Sequence, residues 1–199
     1  MNRARVAALV LAAGSSTRFG PENKLVAQIG GAALATHAVD AVLGAGADPV
    51  FVVTGHDAAS VSAVLGDRPL HFVHNEDHAR GMGSSIAVGA QALLSDDAPI
   101  DGVLITLADM PDLRSKHVRP LLEALDHFPP GGTPILVPTF ESQRGHPVLF
   151  HHHYLRALSR LTGDQGARSI LETDSESIHE VAIASQAILL DQDHPPSSA

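Results

Sequence analysis

The chain has 199 residues, of which 44% are hydrophobic and 18% are charged, values that are ordinary for a globular protein. It contains no cysteine, which excludes disulfides, thiolate catalysis and cysteine-ligated zinc. A net charge of −9, with 4% aromatic residues and no tryptophan, argues against nucleic acid as the main partner.

Length and hydropathy favour a single domain that does not enter the membrane. A chain of this size can bury about 70% of its unfolded surface in one core. We expect the domain to span residues 1–193 and residues 194–199 to form a disordered tail. Because no segment reaches the roughly 20 apolar residues that span a bilayer, and the short apolar run near the start fits a strand better than a signal peptide, we expect a cytoplasmic location.

The first predicted element is a buried strand that runs into a loop of small residues, within residues 6–24. Small side chains let the backbone approach an anionic ligand, and two cations follow them. The small residues are Ala12, Ala13, Gly14, Ser15 and Ser16, and the cations are Arg18 and Lys24. The spacing matches neither a Walker A loop nor a dinucleotide fingerprint, so a plain strand and turn stays an alternative.

Helical and apolar segments then alternate, which is typical of α/β layers around a mostly parallel sheet. The patterns predict a helix over residues 32–43, a strand over 50–55, a helix over 57–65 and a strand over 70–74. His56 or Asp57 is the expected cap of the second helix.

The next segment, G-M-G-S-S at residues 81–85, leads into a helix that we expect to begin near Ser84 or Ser85. Free N–H groups and hydroxyls at a helix N-terminus can hold a polar ligand. Simple capping by one of the serines is the structural alternative.

The strand predicted over residues 103–108 ends in Asp109, Met110, Pro111 and Asp112. An aspartate just past a parallel strand lies at the edge where open α/β sheets bind ligands, and a carboxylate there suits Mg²⁺. Alternatively the segment caps a helix over residues 113–126, a role that fits Asp112 or Ser115 better than Asp109.

The remaining patterns predict a strand over residues 135–140, a further strand within 143–150, and a helix that follows the three histidines at 151–153 and ends near Leu161. Consecutive histidines on a helix point in different directions, so a zinc site there is disfavoured. Asp164 is the expected cap of a short helix that ends near Glu172, and two strands over residues 178–183 and 187–190 close the chain.

Six separated segments resemble the molybdenum cofactor nucleotidyltransferases. They are L-A-A-G-S-S-T-R-F-G-P-E-N-K, G-M-G-S-S, L-A-D-M-P, Q-R-G-H-P-V-L-F, T-G-D-Q-G-A-R and D-Q-D-H-P. L-A-A-G together with R-G-H-P is closer to the cytidylyltransferases of that family, since the guanylyltransferases usually have L-A-G-G. The resemblance implies a three-layer α/β/α fold related to glycosyltransferase family A, with a mostly parallel mixed sheet.

The resemblance also implies an activity: transfer of CMP from CTP to a molybdopterin-type cofactor, with Mg²⁺ as cofactor and release of pyrophosphate. A molybdoenzyme that receives the product is an expected partner. The alternatives are a relative that uses GTP or a sugar phosphate, a non-catalytic molybdenum cofactor-binding protein, and an oxidoreductase on the same fold, against which the missing dinucleotide fingerprint counts.

Residue roles follow from the same resemblance. The expected catalytic residues are Arg18, Lys24 and Asp109, with Asp109 on the metal. Nucleotide binding is expected of Leu11, Ala12, Ala13, Gly14, Ser15, Ser16, Arg18, Lys24, Gly83, Ser84 and Ser85. Gly145 and His146 would face the pterin. The ending D-Q-D-H-P-P-S departs from the family's D-x-D-T-P-E-D, which leaves open whether Asp191 or Asp193 is a second metal ligand.

Overall fold

The computed structural model describes residues 3–15, 19, 23–96, 99–129 and 131–192. Helices cover both faces of a central sheet. The strands are β1 (Val6–Ala12), β2 (Gln28–Ile29), β3 (Ala32–Ala33), β4 (Val50–Thr54), β5 (His71–His74), β6 (Gly102–Leu107), β7 (Ile135–Phe140), β8 (Gln143–Arg144), β9 (Val148–His151) and β10 (Ile178–Ala182). The helices are α1 (Leu34–Ala45), α2 (Ala58–Leu65), α3 (Met82–Ser95), α4 (Ser115–Asp126), α5 (Leu155–Leu158) and α6 (Arg168–Thr173).

The main sheet has the strand order β10-β7-β9-β6-β1-β4-β5, with β8 paired to β7. The pairs β6–β1, β1–β4, β4–β5 and β7–β10 are parallel, whereas β9 runs antiparallel to both β6 and β7. The expected mostly parallel, mixed sheet is therefore confirmed. Strands β1, β4, β5 and β6 all end at one edge, and that edge carries the candidate site.

Two cores form because successive side chains of the central strand β1 point to opposite faces. Val6, Ala8 and Val10 contribute to a core with residues of α1 and α4, and Ala7 and Leu9 contribute to a second core with residues of α3 and α5. Each of these five residues of β1 is at most 1% exposed. A strand buried on both faces gives the continuous apolar run seen in the sequence.

Helix α3 begins earlier than the sequence predicts. It starts at Met82, and its N-cap is Gly81 in a positive-φ conformation (φ 104°) instead of a serine. Gly81 and Gly83 pack against the loop at residues 162–164, where a Cβ would meet the loop backbone. The two glycines thus allow a close contact that a cap pattern does not reveal.

The cap considered as an alternative for α4 and the cap expected for α6 are not the ones observed. Helix α4 begins at Ser115 after an Arg114 N-cap, and the Arg114 N–H donates to His117 Nδ1 at 3.2 Å, so neither Asp112 nor Ser115 caps it. Helix α6 begins at Arg168 after Ala167, because the preceding loop, including Asp164, is held against Gly81. The predicted cap position of α2 is confirmed at Asp57, although its side chain makes no capping bond.

Two predictions near the C-terminus are wrong. The segment expected as a strand over residues 187–190 is instead a 3₁₀ turn, Gln186–Ile188, capped by the Ser185 side chain. Its Ile188 carbonyl accepts from the His146 N–H at 2.8 Å and not from a neighbouring strand. The helix expected to continue to Leu161 is the single turn α5, after a 3₁₀ turn at His152–Tyr154.

Within the described ranges, no helix has both the length and the apolar character needed to cross a bilayer.

Candidate active site

A cleft of about 520 Å³ opens at the edge where the parallel strands end. Its walls come from segments that are far apart in sequence: the loop after β1, the N-terminus of α3, the turn after β6 and the C-terminal segment. The lining residues are Leu11, Ala13, Gly14, Ser15, Phe19, Lys24, Leu25, His78, Ala79, Gly81, Met82, Ser85, Leu107, Asp109 and Asp191.

Lys24 and Asp109 form an ion pair in this cleft. Lys24 Nζ lies 2.5 Å from Asp109 Oδ2, and the two side chains are 14% and 15% exposed. Lys24 is placed by a 3₁₀ turn, Lys24–Val26, whose cap Asn23 accepts the Leu25 N–H at 3.0 Å. Asp109 is placed by the end of β6, where the Ala108 N–H donates to Leu11 O at 3.0 Å. Two residues predicted to be catalytic are therefore in direct contact.

Asp191 joins the same cleft through a backbone contact. The Gln192 N–H donates to the Asp109 carbonyl oxygen at 2.9 Å, which brings the C-terminal segment to the turn after β6. The second of the two carboxylates considered from the sequence, Asp193, lies outside the described residues.

The loop after β1 divides into cleft and core positions. Leu11, Ala13, Gly14 and Ser15 line the cleft, whereas Ala12 is 1% exposed and belongs to the core on the α1 face. A Cβ built on Gly14 would meet nothing within 4 Å, so this glycine leaves open space where a ligand could approach the backbone. Ser16 and Arg18 lie outside the described residues.

The three residues expected to bind the nucleotide at the start of α3 have different surroundings. The Gly83 N–H donates to Gly163 O at 2.8 Å, and the Ser84 N–H donates to Gly81 O at 3.1 Å. The Ser84 hydroxyl also contacts Gly81 O, at 2.8 Å. Of the three, Ser85 is the one that lines the cleft.

Asn75 and His78 were missed by the sequence analysis. Asn75 follows β5, is 1% exposed and donates to both Ser84 Oγ and Ser85 Oγ. His78 packs over Gly55, the residue after β4, and lines the cleft. The position of Asn75 directly after a strand of the same sheet is a signal that could have found it, but no local pattern marks His78.

A second cavity of about 170 Å³ adjoins the cleft and shares Leu11 and Met82 with it. Its walls are largely apolar and include Ile86, Val148 and Phe150. His146 also lines it, and the buried His146 Nδ1 has no hydrogen-bond partner among the described residues. This cavity therefore contains an unsatisfied polar atom beside apolar surface.

Burial lowers the pKa of His146 below its usual value, although Asp109, a hydrogen bond with the Ile105 backbone, and Asp191 oppose that shift. The imidazole is therefore neutral near pH 7 and able to accept or donate one hydrogen bond.

Gly145 has a packing role in the structure. A Cβ on it would overlap the Ile188 carbonyl oxygen, and its N–H donates to Pro138 O at 2.9 Å. The glycine thus lets the chain pass the 3₁₀ turn closely before His146 reaches the second cavity.

The carboxylates of the cleft fit a hard divalent cation. Asp109 Oδ1 is buried without a hydrogen-bond partner among the described residues, and Asp191 supplies further oxygen atoms in the same cleft. Oxygen ligands of this kind suit Mg²⁺ or Mn²⁺, which also bind substrate phosphates. In the described part of the chain, no group of three His, Asp or Glu side chains is placed to hold a metal ion by itself. The histidines at 151–153 therefore do not form such a group.

Comparisons with known proteins point in the same direction. Residues 8–181 match the MobA-like NTP transferase domain. The bifunctional protein GlmU of Anaeromyxobacter sp. (strain K) is 35% identical over 127 residues, which are 61% of this chain and 25% of GlmU. The chain thus spans about a quarter of the length of the curated relatives it matches.

Solved structures share the fold. A nucleotidyl transferase from Methanothermobacter is 24% identical with a TM-score of 0.79, covering 96% of this chain and 92% of that one. Rv0371c from Mycobacterium tuberculosis H37Rv is 24% identical with a TM-score of 0.80, covering 97% and 95%. A manganese complex of Rv0371C has a TM-score of 0.74 at 24% identity, covering 91% and 89%. Because the domain match covers most of the chain, the protein belongs to the MobA-like NTP transferase domain family of nucleotidyltransferases.

Proposed function

We propose that this protein transfers CMP from CTP to the terminal phosphate of a molybdopterin-type cofactor and releases pyrophosphate. The observation that carries the proposal is the Lys24–Asp109 pair at the base of a cleft lined by the loop after β1. The choice of CTP rests on Ala13, which lines the cleft and belongs to the L-A-A-G segment that resembles cytidylyltransferases.

The reaction needs positioning and charge neutralisation more than a covalent nucleophile. A phosphate oxygen of the acceptor attacks the α-phosphorus of CTP, and the bond from that phosphorus to the bridging oxygen of the β-phosphate breaks. Lys24 offsets the charge of the leaving pyrophosphate, with Arg18 as its proposed partner. A divalent ion held by Asp109, with Asp191 as a candidate second ligand, would polarise the α-phosphate and hold the line of attack.

The second cavity is the proposed acceptor side. It adjoins the cleft through Leu11 and Met82, so a ring system bound there would have its phosphate close to the nucleotide. Neutral His146 can exchange a hydrogen bond with a heterocyclic ring, while Gly145 sets the path of the chain before it. A molybdoenzyme that receives the finished cofactor is a proposed partner of this protein.

The direct experiment is pyrophosphate release with CTP, MgCl₂ and molybdopterin cofactor, followed by competition among CTP, GTP, UTP and ATP. We expect release with CTP that depends on the cofactor and on the divalent ion. A clear preference for GTP would replace the cytidylyl assignment by a guanylyl one. Cofactor binding without release from any nucleotide would indicate a carrier protein.

A further inference from the structure

Asn75 is a buried polar side chain that the proposed chemistry does not use. It is 1% exposed and follows β5 at the sheet edge that carries the cleft. The backbone N–H of Asn75 donates to Thr54 O at 2.7 Å, which fixes Asn75 beside the end of β4. A buried amide costs stability unless its donors and acceptor are paired, so the partners of this side chain define its role.

The neighbours of Asn75 fix which way its amide faces. The Asp77 N–H lies 3.0 Å from Asn75 Oδ1. Because an N–H group can only donate, the atom facing it must be the oxygen, and the NH₂ group must face the other way. Nδ2 then donates to Ser84 Oγ at 2.9 Å and to Ser85 Oγ at 3.0 Å. Both hydroxyl oxygens therefore act as acceptors toward Asn75.

The two serines differ in where their own hydrogens go. Ser84 Oγ lies 2.8 Å from Gly81 O and 3.1 Å from Asp77 O, so its hydrogen is used within the protein. For Ser85, the described residues offer no hydrogen-bond acceptor, and the side chain lines the cleft. The Ser85 O–H is thus left to donate into the cleft.

We propose that Asn75 is a positioning residue that makes Ser85 a hydrogen-bond donor to an acceptor atom of the bound nucleoside. The inference rests on the proposed nucleotide-binding function. A serine hydroxyl has one hydrogen and two lone pairs, and Asn75 occupies one lone pair of Ser85 Oγ, which turns the O–H bond away from the amide and toward the cleft. A nucleoside that presents an acceptor at this point receives the Ser85 hydrogen, whereas one that presents a donor leaves that hydrogen unpaired, so the contact favours the acceptor pattern.

The test is a double-mutant cycle on nucleotide affinity, measured by calorimetry with CTP and MgCl₂ and in parallel with GTP. The single variants are Ser85→Ala, Asn75→Ala and Asn75→Asp, and the double variants combine Ser85→Ala with each change at Asn75. Loss of one neutral hydrogen bond should weaken binding about 3- to 10-fold in each single variant. Each double variant should bind no more weakly than Ser85→Ala, because Asn75 acts through Ser85.

Ser95→Ala, at the opposite end of α3, is the matched control, since its hydroxyl donates to Gln91 O and it does not line the cleft, and its nucleotide affinity should change less than about twofold. Asn75→Asp keeps the acceptor for Asp77 N–H and the size of the side chain, so it addresses the case in which Asn75→Ala does not fold. If the negative charge of Asn75→Asp itself weakened nucleotide binding, it would also do so in the Ser85→Ala background. If Asn75 acts through Ser85, Asn75→Asp should not weaken binding further in that background.

The outcomes separate this inference from the proposed function. Additive losses in the double variants would overturn the role of Asn75 while leaving nucleotide binding intact. Tighter binding of GTP than CTP would overturn the cytidylyl assignment, and the coupling would then be measured with GTP. Absence of binding to either nucleotide would overturn both.

Discussion

At the scale of single residues, Lys24 and Asp109 determine the charge of the cleft. Each is about one-seventh exposed, so their attraction is screened less by solvent than that of a surface pair. Asp109 Oδ2 faces an ammonium group, while the buried Oδ1 has no hydrogen-bond partner among the described residues. A divalent ion bound at Asp109 would therefore be repelled by the ammonium group of Lys24. We propose that the triphosphate of the bound nucleotide attracts Lys24 away from Asp109.

Lys24→Met is expected to tighten binding of Mn²⁺ in the absence of nucleotide and to reduce pyrophosphate release. Removal of the ammonium leaves the Asp109 carboxylate to the metal, and a gain on the order of tenfold is expected. The measurement is titration with Mn²⁺ followed by the electron paramagnetic resonance of the free ion. Lys116→Met, at an exposed lysine of α4, is the control, and equal Mn²⁺ affinity in both variants would contradict the competition.

Asp109→Asn is expected to lower the rate of pyrophosphate release by about 10²–10³-fold, as removal of one preorganised electrostatic contact does in other enzymes. The amide keeps the shape of the side chain but loses the charge that holds a cation and pairs with Lys24. Initial rates with CTP and MgCl₂ test this, and thermal melting confirms folding. Asp112→Asn changes an exposed carboxylate three residues away and should retain activity.

At the scale of elements, the N-terminus of α3 depends on its contact with the loop at residues 162–166. The Gly83 N–H donates to Gly163 O, and a Cβ on Gly83 would lie 2.7 Å from Thr162 O. A Cβ added at Gly166, which has φ +56°, would lie 2.9 Å from Met82 Sδ. The T-G-D-Q-G segment thus packs against the N-terminus of α3, which forms one wall of the cleft.

Gly83→Ala and Gly14→Ala are expected to have opposite consequences. The first forces a methyl group against backbone atoms and should lower the free energy of unfolding by about 1–3 kcal/mol. The second adds a methyl group in open space, so stability should be retained while nucleotide affinity falls, because the ligand approaches the loop backbone there. Urea denaturation and calorimetry with CTP measure the two effects. Equal loss of stability in both variants would contradict the assignment of Gly83 to packing and of Gly14 to ligand approach.

At the scale of the whole molecule, three histidines connect stability to pH. Burial is the largest cause that lowers the pKa of His117, His146 and His151. For His117 the charges of Lys116 and Arg114 add to the shift, and for His151 those of His152 and His153 do so. The folded protein therefore binds fewer protons at these sites than the unfolded chain does.

The sign of the pH dependence follows from this difference. An unfolded histidine titrates near pH 6.5, so the stabilisation is fully present above about pH 6.5 and is lost as the pH falls toward the lowered pKa values. We expect the urea midpoint to be lower at pH 5.5 than at pH 7.5. His117→Asn keeps an acceptor for the Arg114 N–H but cannot titrate, so it should reduce the difference between the two midpoints. An unchanged difference would exclude His117 as a contributor.

The predicted fold followed from features that are local in sequence. Strand β1 is buried on both faces and therefore appears as an unbroken apolar run, and Asp109 directly follows a strand of the same kind. Parallel strands place their carboxyl ends together, so the sequence alone predicts the loop after β1 and Asp109 at one edge of the sheet. The small residues and the cation Lys24 then indicated an anion site.

Other features depended on contacts between distant segments, which no local pattern encodes. The sequence alone determined the layers, the edge of the sheet and the candidates Lys24, Asp109 and Ser85. Only the tertiary structure decided that Asn75 holds Ser85, 10 positions away, and that Gln192 brings Asp191 to Asp109. It also decided that Gly83 serves packing, because the atoms a Cβ would meet there belong to residues some 80 positions further along the chain. Side-chain orientation and close packing are set by neighbours in space, whereas strand burial is set by the residues of the strand itself.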